Sequence, residues 1–342
     1  MEDRFLELFG YKIDGVKSVI EIAEELSISP VFIEDEVLYL EEYGFMDKVG
    51  TDKYLTNIYI TEPRKEICEK LHKIFQKYAI VLCEKYVPLL FDAMKDWNPK
   101  GIYSPQDDFN FLMWSVITYA IGQKLYVESE YSNPEQFMVK RKDGGEYIAC
   151  ASVFPDFKVS YNTDIYKVCG DMRRERGKYP IKAWQLTTYY GSQCGGWRDN
   201  LDSDYEYLYE FFSGKISKED SQIDKFKRLY DKGYIVNIDG TDFVNIVVIK
   251  DKDTFISNLP LITEELKILG VEYDNEMYNI IKDMYPKHML GLCRAWSSNC
   301  FCSNFTRIRV VEQLLKNGTL KLPTETQRHG LTTILFSDVL PK

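Results

Sequence analysis

Histidine is almost missing from this chain: His72, His288 and His329 are the three in 342 residues. General bases and activated nucleophiles lean on histidine, so that chemistry is thinly supplied. Common catalytic patterns are missing too. Gly170 to Lys178 has the glycine interval wrong for a phosphate-cradling loop and lacks the following Ser or Thr. No Gly-x-Ser-x-Gly elbow and no His-Glu-x-x-His pair occurs. Long hydrophobic runs are absent as well. The most apolar stretch, Phe109 to Gly122, is too short to span a bilayer and reads as a buried helix. Met1-Glu2-Asp3-Arg4 is acidic where a secretory leader is basic, and no long apolar core region follows. The expectation is a cytoplasmic protein with no membrane attachment and no catalysis.

Positive charge is also scarce. The 43 Lys and Arg residues face 53 Asp and Glu, for a net charge of -10 at pH 7. That balance excludes a general nucleic-acid coat but leaves room for a local basic face. Cys68, Cys83, Cys150, Cys169, Cys194, Cys293, Cys300 and Cys302 are scattered, unlike the dense framework of a small secreted domain, so reduced thiols are expected. His288 with Cys293, Cys300 and Cys302 is the one conceivable metal cluster, and its spacing fits no common zinc pattern. No metal and no cofactor is expected.

What is present is a chain of 45% hydrophobic residues, enough for sizeable cores and for two or three domains. Residues 16 to 61 carry the clearest pattern. Val19, Ile22, Ala23 and Leu26 give a short helix one apolar stripe, with Ala23 small enough for a second helix to cross closely. Ile28 plugs the turn, Ser29 is a candidate N-cap, and Pro30 suits the first helical position. Ile33, Val37 and Leu40 continue the apolar face, and Gly44 ends the helix. Residues 45–49 and 54–60 are strand candidates around Gly50-Thr51-Asp52-Lys53. The pattern predicts a winged helix-turn-helix over 1–62.

Its second helix argues against a DNA groove. Glu34, Asp35, Glu36, Glu41 and Glu42 lie between Pro30 and Glu42 without one Lys or Arg, whereas duplex affinity comes from neutralising phosphates. Lys48 and Lys53 on the wing are the candidate phosphate contacts of this unit. A helical connector is predicted over 63–130. Within 64–97, the apolar positions Ile67, Leu71, Ile74, Phe75, Tyr78, Leu82, Tyr86 and Leu89 admit a core helix kinked at Pro88 or a homodimer stalk.

Residues 131–342 read as an aromatic-rich α+β region. A hairpin is predicted over 136–153, and the aromatics of 155–215 suit either a ligand pocket or an aromatic core. The basic run Arg173 to Lys178 is the densest positive stretch, an anion site or a solvated loop. Within 217–250 an echo of the first unit appears. Leu229, Gly233, Tyr234, Gly240, Thr241, Asp242 and Asn245-Ile246 follow the layout of Leu40, Gly44, Phe45, Gly50, Thr51, Asp52 and Asn57-Ile58. This is a candidate second winged-helix-like unit, open against a chance likeness of two helix-hairpin pieces. Its helix carries Lys225, Lys227, Arg228 and Lys232, of which Lys225, Arg228 and Lys232 share one face. These are the better nucleic-acid candidates.

Ile22 to Val37 with Tyr39 to Phe45 resembles the winged helix in the C-terminal region of sigma-factor-like transcription proteins of Firmicutes. Lys182 to Leu186, Cys194 to Asn200 and Leu320 to Glu325 are similar to the same regions. Nothing here resembles the promoter-reading sigma domains. The resemblance implies a transcription-linked regulatory or sensory protein with DNA or a protein of the transcription machinery as partner. The competing reading is a protein-interaction module whose acidic winged helix binds a protein and not DNA.

Overall fold

The computed structural model describes residues 15–61, 64–97, 101–124, 138–140, 144, 146–147, 149–152, 167–174, 177–189, 201–216, 223–297 and 304–342. The structure mixes helix and strand, as the α+β expectation has it. Two units are built from interleaved segments. One takes Met1–Ile74, Val127–Ser160 and Gly270–Cys300; the other takes Phe75–Tyr126, Tyr161–Leu269 and Phe301–Lys342. The first unit thus contains the whole 1–62 region and adds distant segments to it. Among the described residues, no helix is long and apolar enough to cross a membrane.

In the first unit, Ser18 closes the strand Lys17–Ser18 and starts the helix Val19–Leu26. The Glu21 amide donates to Ser18 Oγ at 3.2 Å and the Ser18 amide donates to Glu21 Oε2 at 2.7 Å, so two otherwise orphaned donors are satisfied reciprocally. The next helix, Pro30–Glu42, starts differently from the sequence expectation. Ser29 makes no side-chain capping bond, and Pro30 enters the first turn without an amide to satisfy. Ile22, Ala23, Ile33, Val37 and Leu40 pack with Val19, Met46 and Tyr54 into one core. Burying each of the large aliphatics contributes about 1.5–3 kcal/mol, which fixes how the two helices cross. Met46–Gly50 and Lys53–Thr56 form an antiparallel hairpin, and Lys17–Ser18 pairs on the other side of Lys53–Thr56.

Beyond the hairpin, Ile58–Thr61 pairs in parallel with Ala149–Ser152. Val139–Lys140 and Glu146–Tyr147 pair antiparallel, within the hairpin expected over 136–153. His288 Nε2 lies 2.9 Å from the Thr56 carbonyl oxygen, and the Arg294 guanidinium lies over the Tyr278 ring.

The 64–97 stretch is a helix, Lys65–Lys85, that breaks at Tyr86 and resumes as Val87–Met94 with Pro88 in its first turn. Leu71, Ile74, Phe75, Tyr78, Leu82 and Tyr86 are buried by the chain itself. Of the other two positions of that stripe, Ile67 is half-buried and Leu89 exposed, and Ile80 is exposed as well.

The second unit is organised by a five-stranded sheet in the order Ile102–Tyr103, Val247–Ile249, Thr333–Phe336, Lys182–Tyr189 and Lys167–Arg174. Val247–Ile249 and Thr333–Phe336 run parallel and the other neighbours antiparallel. The apolar helix Phe109–Lys124 is buried throughout 111–121, as its composition predicts, and Asn304–Lys316 packs on it. The aromatics Tyr205, Tyr207, Tyr209 and Tyr234 belong to a core cluster with Leu208, Phe226 and Leu229. Tyr205 and Tyr234 stack at 5.7 Å and both donate to Gln185 Oε1, at 3.0 and 3.3 Å, so the polar ends of these rings are satisfied inside. For these residues the core reading holds; Tyr190 and Trp197 lie outside the described residues.

The echo between the two units extends to their hydrogen bonds. In the first, the Phe45 amide donates to Leu40 O at 2.8 Å, the Asn57 amide to Phe45 O at 2.8 Å, and Asn57 Nδ2 to Gly44 O at 3.4 Å. In the second, the Tyr234 amide donates to Leu229 O at 2.9 Å, the Asn245 amide to Tyr234 O at 2.8 Å, and Asn245 Nδ2 to Gly233 O at 2.9 Å. Gly44 and Gly233 are both left-handed, φ 76° and 68°, the conformation that turns each helix into its hairpin. The hairpin of the second unit is Ile235–Ile238 with Thr241–Val244.

Candidate functional site

The helix Pro30–Glu42 turns two unlike faces outward and inward. Ile33, Val37 and Leu40 are buried; on the far side Val31, Asp35, Leu38 and Glu42 follow at offsets of four, seven and eleven residues. Phe32 is 68% exposed, and Tyr39, two turns further along, is exposed too, its ring 4.6 Å from that of Tyr43. Glu34, Asp35 and Glu42 are exposed on the same surface, which carries no cation from this helix. An exposed apolar group on a charged surface is common singly. Here four of them, Val31, Phe32, Leu38 and Tyr39, share one helix, and Tyr43 follows at its C-terminal cap. Ile20 of the preceding helix is exposed as well.

The wing residues Lys48 and Lys53 are both exposed, with the Lys48 ammonium 5.6 Å from the Tyr54 ring centroid. Lys17 is ion-paired to Glu25. Within residues 15–57 the cations Lys17, Lys48 and Lys53 thus lie on strands, and none lies on the helix Pro30–Glu42.

The basic helix Ile223–Asp231 is placed otherwise than a phosphate-binding helix needs. Lys225, Arg228 and Lys232 do share one face, but that face packs on the helix Leu201–Phe212. Asp204, fully buried, accepts from Arg228 Nε and from Lys232 Nζ, each at 2.5 Å. The Lys232 side chain is 6% exposed. Lys225 sits with its ammonium 5.7 Å from the Tyr207 ring centroid. Periodicity correctly groups the three cations, but it does not reveal the carboxylate that faces two of them. Asp202, Asp204 and Glu206 alternate along the helix Leu201–Phe212, and nothing in their order marks Asp204 as the one that turns inward. Lys227 remains exposed.

The other sequence candidates separate in space or lie outside the described residues. Lys178 is exposed and bonds Glu210 Oε1 at 3.1 Å, while the side chains of Arg173 and Arg174 are outside the description. Cys293 is buried, and burial pushes its thiol up to about 12. Cys300 and Cys302 are outside the described residues. Among the described residues, no group of His, Cys, Asp and Glu could hold a metal ion. Comparison with protein-family models, with curated proteins and with solved structures finds no match to the chain.

Proposed function

We propose that the chain is a transcription-linked regulatory protein without catalysis, and that its acidic helix docks on a protein and not on DNA. Residues 15–57 are read as a winged helix-turn-helix. The order of strands supports this, with two crossed helices between Lys17–Ser18 and the antiparallel hairpin, and Lys53–Thr56 in the middle of the sheet. The matched hydrogen bonds around Gly44 and Gly233 support a second unit of the same kind at 223–250.

The observation that carries the docking reading is the outer face of Pro30–Glu42. Exposed Val31, Phe32, Leu38 and Tyr39 are framed by carboxylates. Phosphates repel that charge, and a groove edge offers such apolar bulk little. A protein groove with an apolar floor and a Lys- or Arg-rich rim complements it. The resemblance to sigma-factor-like proteins supplies the setting, in which RNA polymerase is the first partner to test.

The test uses the full chain, labelled, in fluorescence anisotropy against purified bacterial RNA polymerase and against duplex DNA. Phe32→Asp and Leu38→Asp are expected to weaken polymerase binding at least about tenfold, as central anchors do. Both positions are exposed, so stability should change by no more than about 0.5 kcal/mol. Tight duplex binding at about 0.15 M salt without polymerase binding would overturn the proposal.

A further inference from the structure

The second unit has a cleft of about 730 Å³ at one end of its five-stranded sheet. That volume lies within the roughly 300–1,000 Å³ of small-molecule sites. Its walls come from four neighbouring strands. Val247–Ile249 and Thr333–Phe336 are parallel and finish at this end, delivering Lys250 and Ser337. Ile102–Tyr103 and Lys182–Tyr189 run the other way and begin here, delivering Gly101 and Lys182. The register aligns them, since Ile249 faces Phe336 and Phe336 faces Lys182. The Lys250 amide donates to Gly101 O at 2.8 Å and the Ser337 amide to Ile249 O at 2.9 Å, so the rim is tied backbone to backbone. The carboxyl ends of the one parallel pair thus lie side by side at the rim of the cleft.

Charge in the cleft is dense and balanced. Lys182, Lys250 and Lys252 supply three ammonium groups, and Asp251, Asp253 and Asp338 three carboxylates. Two of the carboxylates are held in place. Asp251 accepts from the Asp253 and Thr254 amides and from Thr254 Oγ1, bonds that keep it ionised, and Asp338 Oδ1 accepts from the Tyr209 hydroxyl at 2.9 Å. A bare anion would meet as much repulsion as attraction in such a site. A molecule with an anionic group for the lysines and hydroxyl donors for the carboxylates satisfies both.

We propose that this cleft binds a small phosphorylated molecule that also carries hydroxyl groups, of the size of a sugar phosphate or a mononucleotide. The site shares no residue with the acidic docking face, so either proposal can fail alone. Isothermal titration of the full chain with ribose 5-phosphate, AMP and inorganic phosphate tests it. Ribose 5-phosphate or AMP should bind, and Lys250→Ala and Lys182→Ala should each weaken binding about tenfold or more. Asp338→Ala should weaken the hydroxylated ligands more than inorganic phosphate. All three side chains are exposed, so unchanged melting should show that the variants fold, and Lys227→Ala on the basic helix should bind as wild type. Absence of binding by both organic phosphates would overturn the proposal. So would binding indifferent to the lysine variants, or inorganic phosphate bound as tightly as ribose 5-phosphate.

Discussion

Replacing Asp204 by Asn should unsettle the second unit more than any surface change on the basic helix. The carboxylate is fully buried between Arg228 Nε and Lys232 Nζ, and the Lys232 side chain is nearly as deep. The amide keeps the shape and loses the charge. Lys232 then loses the Asp204 counter-charge while its side chain stays buried. Removing one partner of a buried ion pair costs about 3–5 kcal/mol. Arg228, at 28% exposed, can turn partly to solvent, so the lower end, about 3 kcal/mol, is the working figure. At about 2–4 °C per kcal/mol for a unit of this size, the melting temperature should fall by about 6–12 °C. Circular dichroism melts of the full chain, paired with urea titrations, measure it. The double variant Asp204→Leu with Lys232→Met should recover most of the loss, because it leaves neither charge buried. An Asp204→Asn protein melting within about 1 °C of wild type, or a double variant less stable than the single one, would refute the argument.

Gly44→Ala should cost about 1–2 kcal/mol for its left-handed backbone, and Gly233→Ala more, because a Cβ there also runs into the His329 side chain; urea midpoints rank the two. Burial, then Arg328, holds the His329 pKa below its usual 6.5 against a smaller pull from Glu325. The unfolded chain therefore takes up the proton first as pH falls. Stability should drop from about pH 6.5 down to the lower folded value and stay flat above, and His329→Gln should remove that slope from melting curves run between about pH 5.5 and 7.5. Cys83 and Cys293, both raised by burial to about 12, should resist iodoacetamide in the native protein and react after denaturation, as peptide mass mapping would show.

Local features were the legible ones. The stripe Val19, Ile22, Ala23 and Leu26, the face Ile33, Val37 and Leu40, and the helix-ending glycines at 44 and 233 each depend on neighbours within a few residues, and spacing reveals them. The break before Pro88 was legible for the same reason. Long-range pairing was not. The strand Ile58–Thr61 takes its partner from Ala149–Ser152, and the cleft gathers Gly101, Lys182 and Lys250 from three strands. Nothing in the order of residues brings those together, because register across distant strands is decided by packing. The basic helix shows the same boundary: its offsets predict a shared face, while Asp204, on another helix, decides that the face turns inward.

The interleaving of the two units also governs the order in which this protein can be made. Residues 15–57 leave the ribosome with most of their own core, yet Ile58–Thr61 must wait for 149–152 to be synthesised before it has a strand to join, and Thr56 must wait for His288. During that interval the unpaired strand Ile58-Tyr59-Ile60-Thr61 is a free β edge rich in β-branched and aromatic residues, the kind that pairs with other chains. A ribosome stalled or a fragment cut before residue 149 would therefore release an aggregation-prone species. The carboxylates of the helix Pro30–Glu42 in the same fragment work against such association by mutual repulsion.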